Sequence, residues 1–242
     1  MTAKNEGHRE RLRQKFIAHG LEKFTDEEVV ELLLTFGTPR RDCKQMARQM
    51  QMMARFGSFR GVFEAGEGEL TEIPGVGPSN AFGIKFIHQV TRKLLREKML
   101  GRPFLQSSEE TLDYLNHSMK SLKHEVFQVI YLNSGNEIIN EETLAVGTAT
   151  EVPVSPRQIV ERMVKAGAVS VVLAHNHPGG GFEPSAEDVG FTKETAFVCG
   201  MMGLRLAEHL IIAPGGHYSF AVEGHIADYE REFQKFYAKL AK

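Results

Sequence analysis

Residues 168–178 constrain this chain more than any other segment, because a short apolar run ends there in two closely spaced histidines. The run Ala168 to Ala174 is apolar at nearly every position, and this pattern predicts a buried strand. Side chains alternate between the two faces of a strand, so His175 and His177 are expected to project in the same direction. Asp188 follows past a loop of glycines and a proline. These three residues therefore form a candidate set of metal ligands.

Two imidazoles and one carboxylate suit zinc and leave a fourth position for water. An open position is typical of catalytic zinc, which lowers the pKa of water and so supplies a nucleophile near neutral pH. The stretch from Ser185 to Asp188 also fits a helix N-cap with an acid in the first turn, and the histidines would then be polar residues ending a strand. We favour the metal, and both interpretations hold together if the cap fixes the direction of Asp188.

These residues resemble the JAMM (MPN+) metalloprotease motif, written His-x-His-Pro followed by Ser-x-x-Asp. The surrounding sequence is similar to bacterial RadC proteins, once labelled DNA-repair proteins, over nearly the whole chain. The matching phrases are Val154-Ser-Pro-Arg157-Gln-Ile159, Ala174-His-Asn-His-Pro178, Pro184-Ser185, Glu208-His209-Leu-Ile-Ile and Tyr218-Ser-Phe220. Two departures are visible: Gly179-Gly180-Gly181 replaces the usual Ser-Gly after the proline, and Glu208 stands where the family usually has aspartate.

The resemblance implies a JAMM fold, related to the cytidine-deaminase-like architecture, and a zinc-dependent hydrolase of peptide or isopeptide bonds. It implies one zinc per chain, held by His175, His177 and Asp188. It also implies that Glu125 moves protons and that Ser185 stabilises the oxyanion of the transition state.

Spacing alone does not indicate Glu125, and two other glutamates compete for its role. Glu151 and Glu208 are the competitors. Glu208 adjoins His209 on a predicted strand, and this pair is expected to support the structure or the ligands.

The division of charge predicts two modules with different partners. Residues 1–103 contain 18 Lys and Arg against 13 Asp and Glu, a net charge of +5, whereas the remainder has 11 against 18, or −7. The turn Gly101-Arg102-Pro103 is the natural break. We predict a small all-α domain over 1–103, and a mixed α/β sheet with flanking helices over 104–242, with the metal motif at 175–188.

The front module carries a candidate helix-hairpin-helix near residues 70–93. Gly75, Val76 and Gly77 form a tight turn before a helix from about Ser79, and backbone N–H groups there can hold a phosphate oxygen. Lys85 could add a phosphate contact, and contacts of this kind carry no base specificity. The alternatives are a glycine turn that joins two packed helices and a surface that docks a protein.

After a basic amphipathic segment from His8 to His19, which is expected to form a short helix, two further helices are predicted before the hairpin. Thr25 is expected to cap a helix that starts at Asp26 and ends at Gly37. A second helix, rich in methionine, is predicted over residues 42–55. The apolar side of the first helix is predicted to consist of Val29, Leu32, Leu33 and Phe36.

The back module alternates strand and helix, which favours an α/β sheet. Ser107 and Glu110 predict a capping box at the start of its first helix. Ser155 and Pro156 predict the start of a second helix, which ends near Gly167. The predicted strands are residues 126–132, 137–144, 168–174, 204–212 and 218–221, and the last two helices are expected from residue 185 and from residue 223.

Two other classes of function compete with the hydrolase. The chain could be a DNA-binding repair or recombination factor acting through the hairpin, or a scaffold whose metal site is structural or vestigial. The predicted partners are a peptide or protein substrate and, through the front module, DNA; the oligomeric state is left open. No apolar run is long enough to cross a membrane. Cys43 and Cys199 are far apart in sequence, which favours a reducing compartment and hence the cytoplasm.

Overall fold

The computed structural model describes residues 3–38, 43–44, 48, 50, 56–147 and 154–240. The chain forms two compact units, residues 1–91 and 92–242. The division lies inside a helix, Pro78–Met99, and therefore before the predicted break at Gly101-Arg102-Pro103. The last turns of this helix belong to the second unit because Met99 is fully buried in that unit's core.

The first unit is helical throughout the part that the structure describes, as predicted. Its elements are α1 (Ala3–His19), α2 (Asp26–Gly37), α3 (Phe59–Glu64), α4 (Glu67–Thr71) and the first turns of α5 (Pro78–Met99). The predicted cap is confirmed, because Thr25 and Glu28 form a reciprocal capping box at the start of α2. The helix predicted over residues 42–55 falls almost wholly outside the described residues.

The predicted apolar side of α2 is correct for Leu33, which is buried, but Val29 and Leu32 are only half-buried. Val30 and Leu34 are fully buried, whereas Phe36 is 70% exposed. Most positions between Val29 and Phe36 are apolar, so the periodicity cannot decide which face turns inward. The face is decided by packing against a core formed by Val30, Leu33, Leu34, Cys43, Met50, Phe56, Val62, Ala65, Leu70, Ile73, Val76, Ala81 and Ile84.

The second unit is a five-stranded mixed sheet flanked by helices, which confirms the predicted α/β class. The strands are β1 (Glu125–Leu132), β2 (Ile138–Gly147), β3 (Ser170–Asn176), β4 (Arg205–Ala213) and β5 (Gly216–Ser219), in the spatial order β2-β1-β3-β4-β5. Only β3 and β4 pair in parallel. The helices are α6 (Ser108–Met119), α7 (Pro156–Ala166), α8 (Ala186–Met201) and α9 (His225–Leu240).

Two apolar cores cover the two faces of this sheet. On β1, Phe127 and Val129 join the core that includes residues of α7, α8 and α9. Val126 and Ile130 join the other core, which includes residues of α6. All seven residues of β3 are buried, since the strand is central and covered on both faces. The alternation places His175 on the same face as Leu173, toward α8.

Capping residues in the sequence correctly predict how α7 begins and ends, but they do not predict how α6 begins. Ser155 caps α7, Pro156 occupies its first turn, and Gly167 ends it in the left-handed conformation, as predicted. The capping box predicted for Ser107 and Glu110 does not form. A short 3-10 turn, Phe104–Gln106, precedes Ser107, whose hydroxyl donates to the Pro103 carbonyl instead.

No helix in the described parts of the chain combines the length and the apolar character that crossing a bilayer requires.

Candidate metal centre

His175 and His177 lie at the end of β3, where the sequence predicts them. His175 is paired in register with Phe127 of β1 and is 7% exposed. His177 follows β3, but its N–H still donates to the carbonyl of Ile212 at 2.9 Å, which continues the pairing with β4. Because the two histidines are two residues apart on this extended backbone, their rings point to the same side.

Asp188 reaches these rings from the first turn of α8. Ser185 caps this helix, and its hydroxyl accepts from the Asp188 N–H at 3.1 Å. In return, the Asp188 carboxylate accepts from the Ser185 N–H at 2.8 Å and from the Ser185 hydroxyl at 2.7 Å. The predicted cap therefore forms, and it fixes the direction of the carboxylate as expected.

The three side chains converge on one point. The Nε2 atoms of His175 and His177 are 3.0 Å apart. Asp188 Oδ1 is 3.1 Å from Nε2 of His175, and Asp188 Oδ2 is 3.5 Å from Nε2 of His177. Around a tetrahedral zinc with metal–nitrogen distances of about 2.0–2.1 Å, two ligand atoms stand about 3.3 Å apart. The spacing of the three groups fits such an ion.

Hydrogen bonds on the far side of each ring strengthen this fit. His177 Nδ1 lies 3.1 Å from the Gly181 carbonyl oxygen, which can only accept, so in the neutral ring Nδ1 carries the hydrogen and Nε2 is bare. His175 uses its Nδ1 for a bond to His209, so its Nε2 also faces the centre. Bare nitrogens facing a carboxylate repel one another unless a cation lies among them. The donor set, two nitrogens and one oxygen, suits zinc.

The pKa values of the ligands reflect the same demand for positive charge. When His177 is protonated, its ring donates a hydrogen bond to the Asp188 carboxylate, and this raises the pKa of His177 against the opposing effect of burial. Burial would raise the pKa of Asp188, but hydrogen bonds that the two histidines donate when protonated outweigh it and hold this pKa well below its usual value. Asp188 is therefore ionised near neutral pH and available as a ligand.

The glycine loop after Pro178 orients His177 through backbone groups, since it has no serine side chain. Gly180 has a φ of 96°, in the left-handed region that glycine adopts without strain. Its N–H donates to the His177 carbonyl at 3.2 Å, and the next carbonyl, of Gly181, accepts from the His177 ring. The departure from the usual Ser-Gly therefore still leaves the second histidine oriented.

Glu125 lines the same cleft as the three ligands and Ser185. It begins β1 and lies two residues before Phe127, so its side chain is on the same face as His175. Neighbouring backbone is held by Asn176, whose Oδ1 accepts from the Val126 N–H at 2.7 Å and whose Nδ2 donates to the His124 carbonyl at 3.0 Å. The sequence analysis did not single out Asn176. Because side chains alternate along β3, Asn176 lies on the opposite face of the strand from the two histidines.

The competing glutamates are placed differently. Glu208 is buried, and its carboxylate accepts from the Ser219 hydroxyl at 2.6 Å and from the N–H groups of His209 and Ala221 at 2.8 and 2.9 Å. These bonds join β4 to the turn after β5, which is a structural role. Burial raises the pKa of Glu208 despite these bonds. Glu151 lies outside the described residues.

His209 and Thr192 lie behind the ligands, inside the protein. His209 Nε2 is 2.9 Å from His175 Nδ1, and the Thr192 hydroxyl is 2.7 Å from His209 Nδ1. Burial and the nearby His175 lower the pKa of His209 well below its usual value. The sequence indicated a supporting role for His209, but Thr192 was missed. The sequence feature that could have indicated Thr192 is its position four residues after Asp188, on the same face of α8.

The candidate hairpin forms the predicted turn between α4 and α5. Gly75 has a φ of 89°, which favours glycine. The Val76 N–H donates to the Ile73 carbonyl at 2.9 Å, and the Gly77 N–H donates to Asn80 Oδ1 at 3.2 Å. Two of the N–H groups expected to hold phosphate are thus bonded within the protein.

Lys85 is also engaged near this hairpin. Its ammonium donates to the carbonyls of Phe63 and Ala65 at 3.0 and 2.9 Å, at the C-terminal end of α3. Burial lowers the pKa of Lys85. An ammonium has three hydrogens, so one is left for another acceptor, and a phosphate contact by Lys85 stays a prediction.

Comparison with known proteins gives two family matches and several close relatives. The RadC-like JAB domain model matches residues 105–225, and the UPF0758 N-terminal model matches residues 4–82. A UPF0758 protein of Rhodobacter capsulatus is 37% identical over 88% of this chain and 99% of its own length. Similar proteins of Fusobacterium nucleatum and Ruegeria pomeroyi are 36% and 35% identical over 91% and 90% of this chain, and over 97% of their own lengths. These three names state no activity.

Proposed function

The chain belongs to the RadC-like JAB domain family, with a UPF0758 N-terminal region, and from that premise we propose that it is a zinc-dependent hydrolase of peptide or isopeptide bonds. One observation carries the proposal: His175, His177 and Asp188 converge in a cleft that Glu125 and Ser185 also line. A metal site built only for stability has no need of a carboxylate and a hydroxyl beside it in an open cleft.

Each of the five side chains has a task in the proposed reaction. His175, His177 and Asp188 would hold the zinc, which would act as a Lewis acid and lower the pKa of water toward neutral. Glu125 accepts the proton of the attacking water while the water oxygen bonds to the carbonyl carbon. When the carbon–nitrogen bond breaks, Glu125 delivers this proton to the leaving amine.

Ser185 stabilises the oxyanion that forms on the carbonyl oxygen. Its hydroxyl has one hydrogen, which it donates to Asp188 Oδ2 at 2.7 Å. The proposed role therefore requires the hydroxyl to rotate toward the substrate. Asp188 retains the bond from the Ser185 N–H during that rotation, so the ligand keeps its direction.

The walls of the cleft support a substrate with both apolar and charged parts. Phe127, Phe191 and Val154 provide apolar surface, and Lys123 and Glu183 provide charge. We place the reaction in the cytoplasm, since Cys43 and Cys199 are both buried free thiols, which suits a reducing compartment.

The experiment is a cleavage screen with the zinc-loaded full chain against pooled peptides and isopeptide-linked peptides, read by mass spectrometry. We expect Glu125→Gln to keep its zinc and to cleave about a hundredfold more slowly or worse, because loss of a general base costs roughly 10²–10⁴ in rate. An equal rate in the Glu125→Gln variant would show that Glu125 is not the base.

Glu208→Gln is the matched control, because it makes the same chemical change at a carboxylate that lies outside the cleft. We expect its rate to stay near that of the wild type. Zinc in all three proteins, with no cleavage by any of them, would favour the alternative of a structural metal site.

A further inference from the structure

His209, a histidine of β4, has no surface exposed to solvent and lies directly behind the metal ligand His175. Its Nε2 is 2.9 Å from Nδ1 of His175, and its Nδ1 is 2.7 Å from the hydroxyl oxygen of Thr192. Thr192 is also fully buried. Both nitrogens of His209 are therefore used, one toward the metal centre and one toward helix α8.

The hydrogen of the Thr192 hydroxyl sets the direction of these bonds. This hydroxyl lies 2.5 Å from the backbone carbonyl of Asp188, one turn earlier in α8, and a carbonyl can only accept. The single hydrogen of Thr192 is thus given to Asp188. Toward His209 the threonine oxygen can then only accept, so Nδ1 of His209 carries a hydrogen.

The same reasoning continues to His175. The ring of His209 contacts the rings of Phe127, Phe191 and Phe220, and a fully buried ring in such surroundings is neutral because an uncompensated buried charge is costly. A neutral ring with its hydrogen on Nδ1 has a bare Nε2, which accepts. Nδ1 of His175 therefore donates, and in the neutral ring Nε2 of His175 is bare toward the metal centre.

We propose that Thr192 and His209 form a positioning relay that fixes His175 in the tautomer able to bind zinc. The proposal rests on the proposed function in that it concerns the same metal centre. Ligand histidines usually donate to a carboxylate, a carbonyl or a water, whereas here the partner is a second, neutral imidazole. Helix α8 contributes to the metal centre twice, since it supplies both the ligand Asp188 and the Thr192 hydroxyl that orients His209.

The opposite direction of hydrogen bonding predicts the other tautomer of both histidine rings. If Thr192 donated to Nδ1 of His209, Nε2 of His209 would carry the hydrogen and would donate to His175. His175 would then present an N–H to the centre and could not bind zinc through Nε2. The two directions thus place the hydrogens on opposite nitrogens of both rings.

Nuclear magnetic resonance of the full chain, labelled with ¹⁵N at histidine and stripped of metal with a chelator, distinguishes these directions. Two-bond correlations between ring hydrogens and nitrogens report which nitrogen is protonated, and His209→Gln and His175→Gln variants assign the signals. We expect hydrogen on Nδ1 of both rings and a bare Nε2 in His209, whereas Nε2 of His175 can take up a proton beside Asp188 when the metal is absent. Hydrogen on Nε2 of His209, or a bare Nδ1 in His175, would overturn the relay.

Thr192→Val and Thr192→Ser form a matched pair, because valine has the shape of threonine without the oxygen and serine keeps the hydroxyl. In Thr192→Val we expect His209 and His175 to lose the wild-type pattern, and Thr192→Ser to retain it. Zinc affinity, measured by competition with a chelating dye, is expected to fall about 10–100-fold in Thr192→Val, as for other residues that orient ligands. Thr192→Ser is expected to bind zinc as the wild type does.

The outcomes separate this relay from the proposed function. Wild-type tautomers as expected, without zinc binding, would support the relay and contradict the hydrolase. Zinc binding and tautomers unchanged in Thr192→Val would overturn the relay and leave the hydrolase standing.

Discussion

The side-chain oxygen of Asn176 accepts a hydrogen bond of 2.7 Å from the backbone N–H of Val126. Its amide nitrogen donates to the carbonyl of His124, so one side chain holds the backbone on both sides of Glu125. Asn176 lies between the ligands His175 and His177. A single residue at the end of β3 therefore connects the candidate metal ligands to the strand that carries the proposed base.

We expect Asn176→Ala to destabilise the protein by about 1–3 kcal/mol, because it leaves a buried N–H and a carbonyl without partners. Zinc content should be unchanged, since the ligands remain on β3. Urea denaturation with elemental analysis measures both quantities. Asn140→Ala is the control, because Asn140 is an exposed residue of β2. Equal stabilities of Asn176→Ala and the wild type would contradict this role.

Ser185→Ala removes the helix cap and the proposed oxyanion donor together. We expect a loss of about 1 kcal/mol in the free energy of unfolding from the cap. We expect the rate of hydrolysis to fall about a hundredfold or more, with zinc still bound. Ser185→Thr, which keeps a hydroxyl, should recover stability. A rate that falls only in proportion to lost zinc would show that Ser185 acts through the ligand Asp188 alone.

Glu208 should make the protein less stable as the pH rises. Burial raises its pKa above the ordinary value of 4.5, so the folded chain binds this proton more tightly than the unfolded chain does. The stability it contributes is present at low pH and is lost as the pH rises through the folded pKa. Glu208→Gln has no carboxyl group to titrate, so its stability relative to the wild type should increase as the pH is raised from below to above 4.5. Urea unfolding across this range, in chelator, measures the difference; a difference that does not vary with pH would contradict the prediction.

We expect Gly77→Ala to have no effect on binding to duplex DNA at low salt. The Gly77 N–H is used by Asn80, and a Cβ at this position meets no atom within 4 Å, so the variant should fold normally. Fluorescence anisotropy across a salt series measures the affinity. Salt-dependent binding by the wild type that Gly77→Ala abolishes would instead favour the repair-factor alternative, in which the glycine backbone contacts phosphate.

The sequence predicts those features that depend on neighbouring residues. The strand before His175, the cap formed by Ser185 and Asp188, and the start of α7 at Ser155 follow from spacing, propensity and capping chemistry. Phe36 and Ser107 show the limit of such signals. Most positions of α2 from Val29 to Phe36 are apolar, so their spacing does not reveal which face is buried. A 3-10 turn ahead of Ser107 redirects its hydroxyl.

The connections that complete the metal centre are not visible in the sequence, because they join distant residues. Asn176 and Val126 are 50 positions apart, and His175 and His209 are 34 apart. Only the pairing of β3 with β1 and β4 brings them together. Glu125 could be named from the family resemblance, whereas the contacts that hold its strand require the folded sheet.

Metal content tests the central claim most directly. The full chain and a His175→Ala/His177→Ala variant would be purified without chelator and without a metal-binding tag, then analysed for elements before and after zinc addition. We predict about one zinc per chain in the wild type and none in the variant. Wild-type protein that binds no zinc after addition would contradict the metal centre and, with it, the proposed hydrolase.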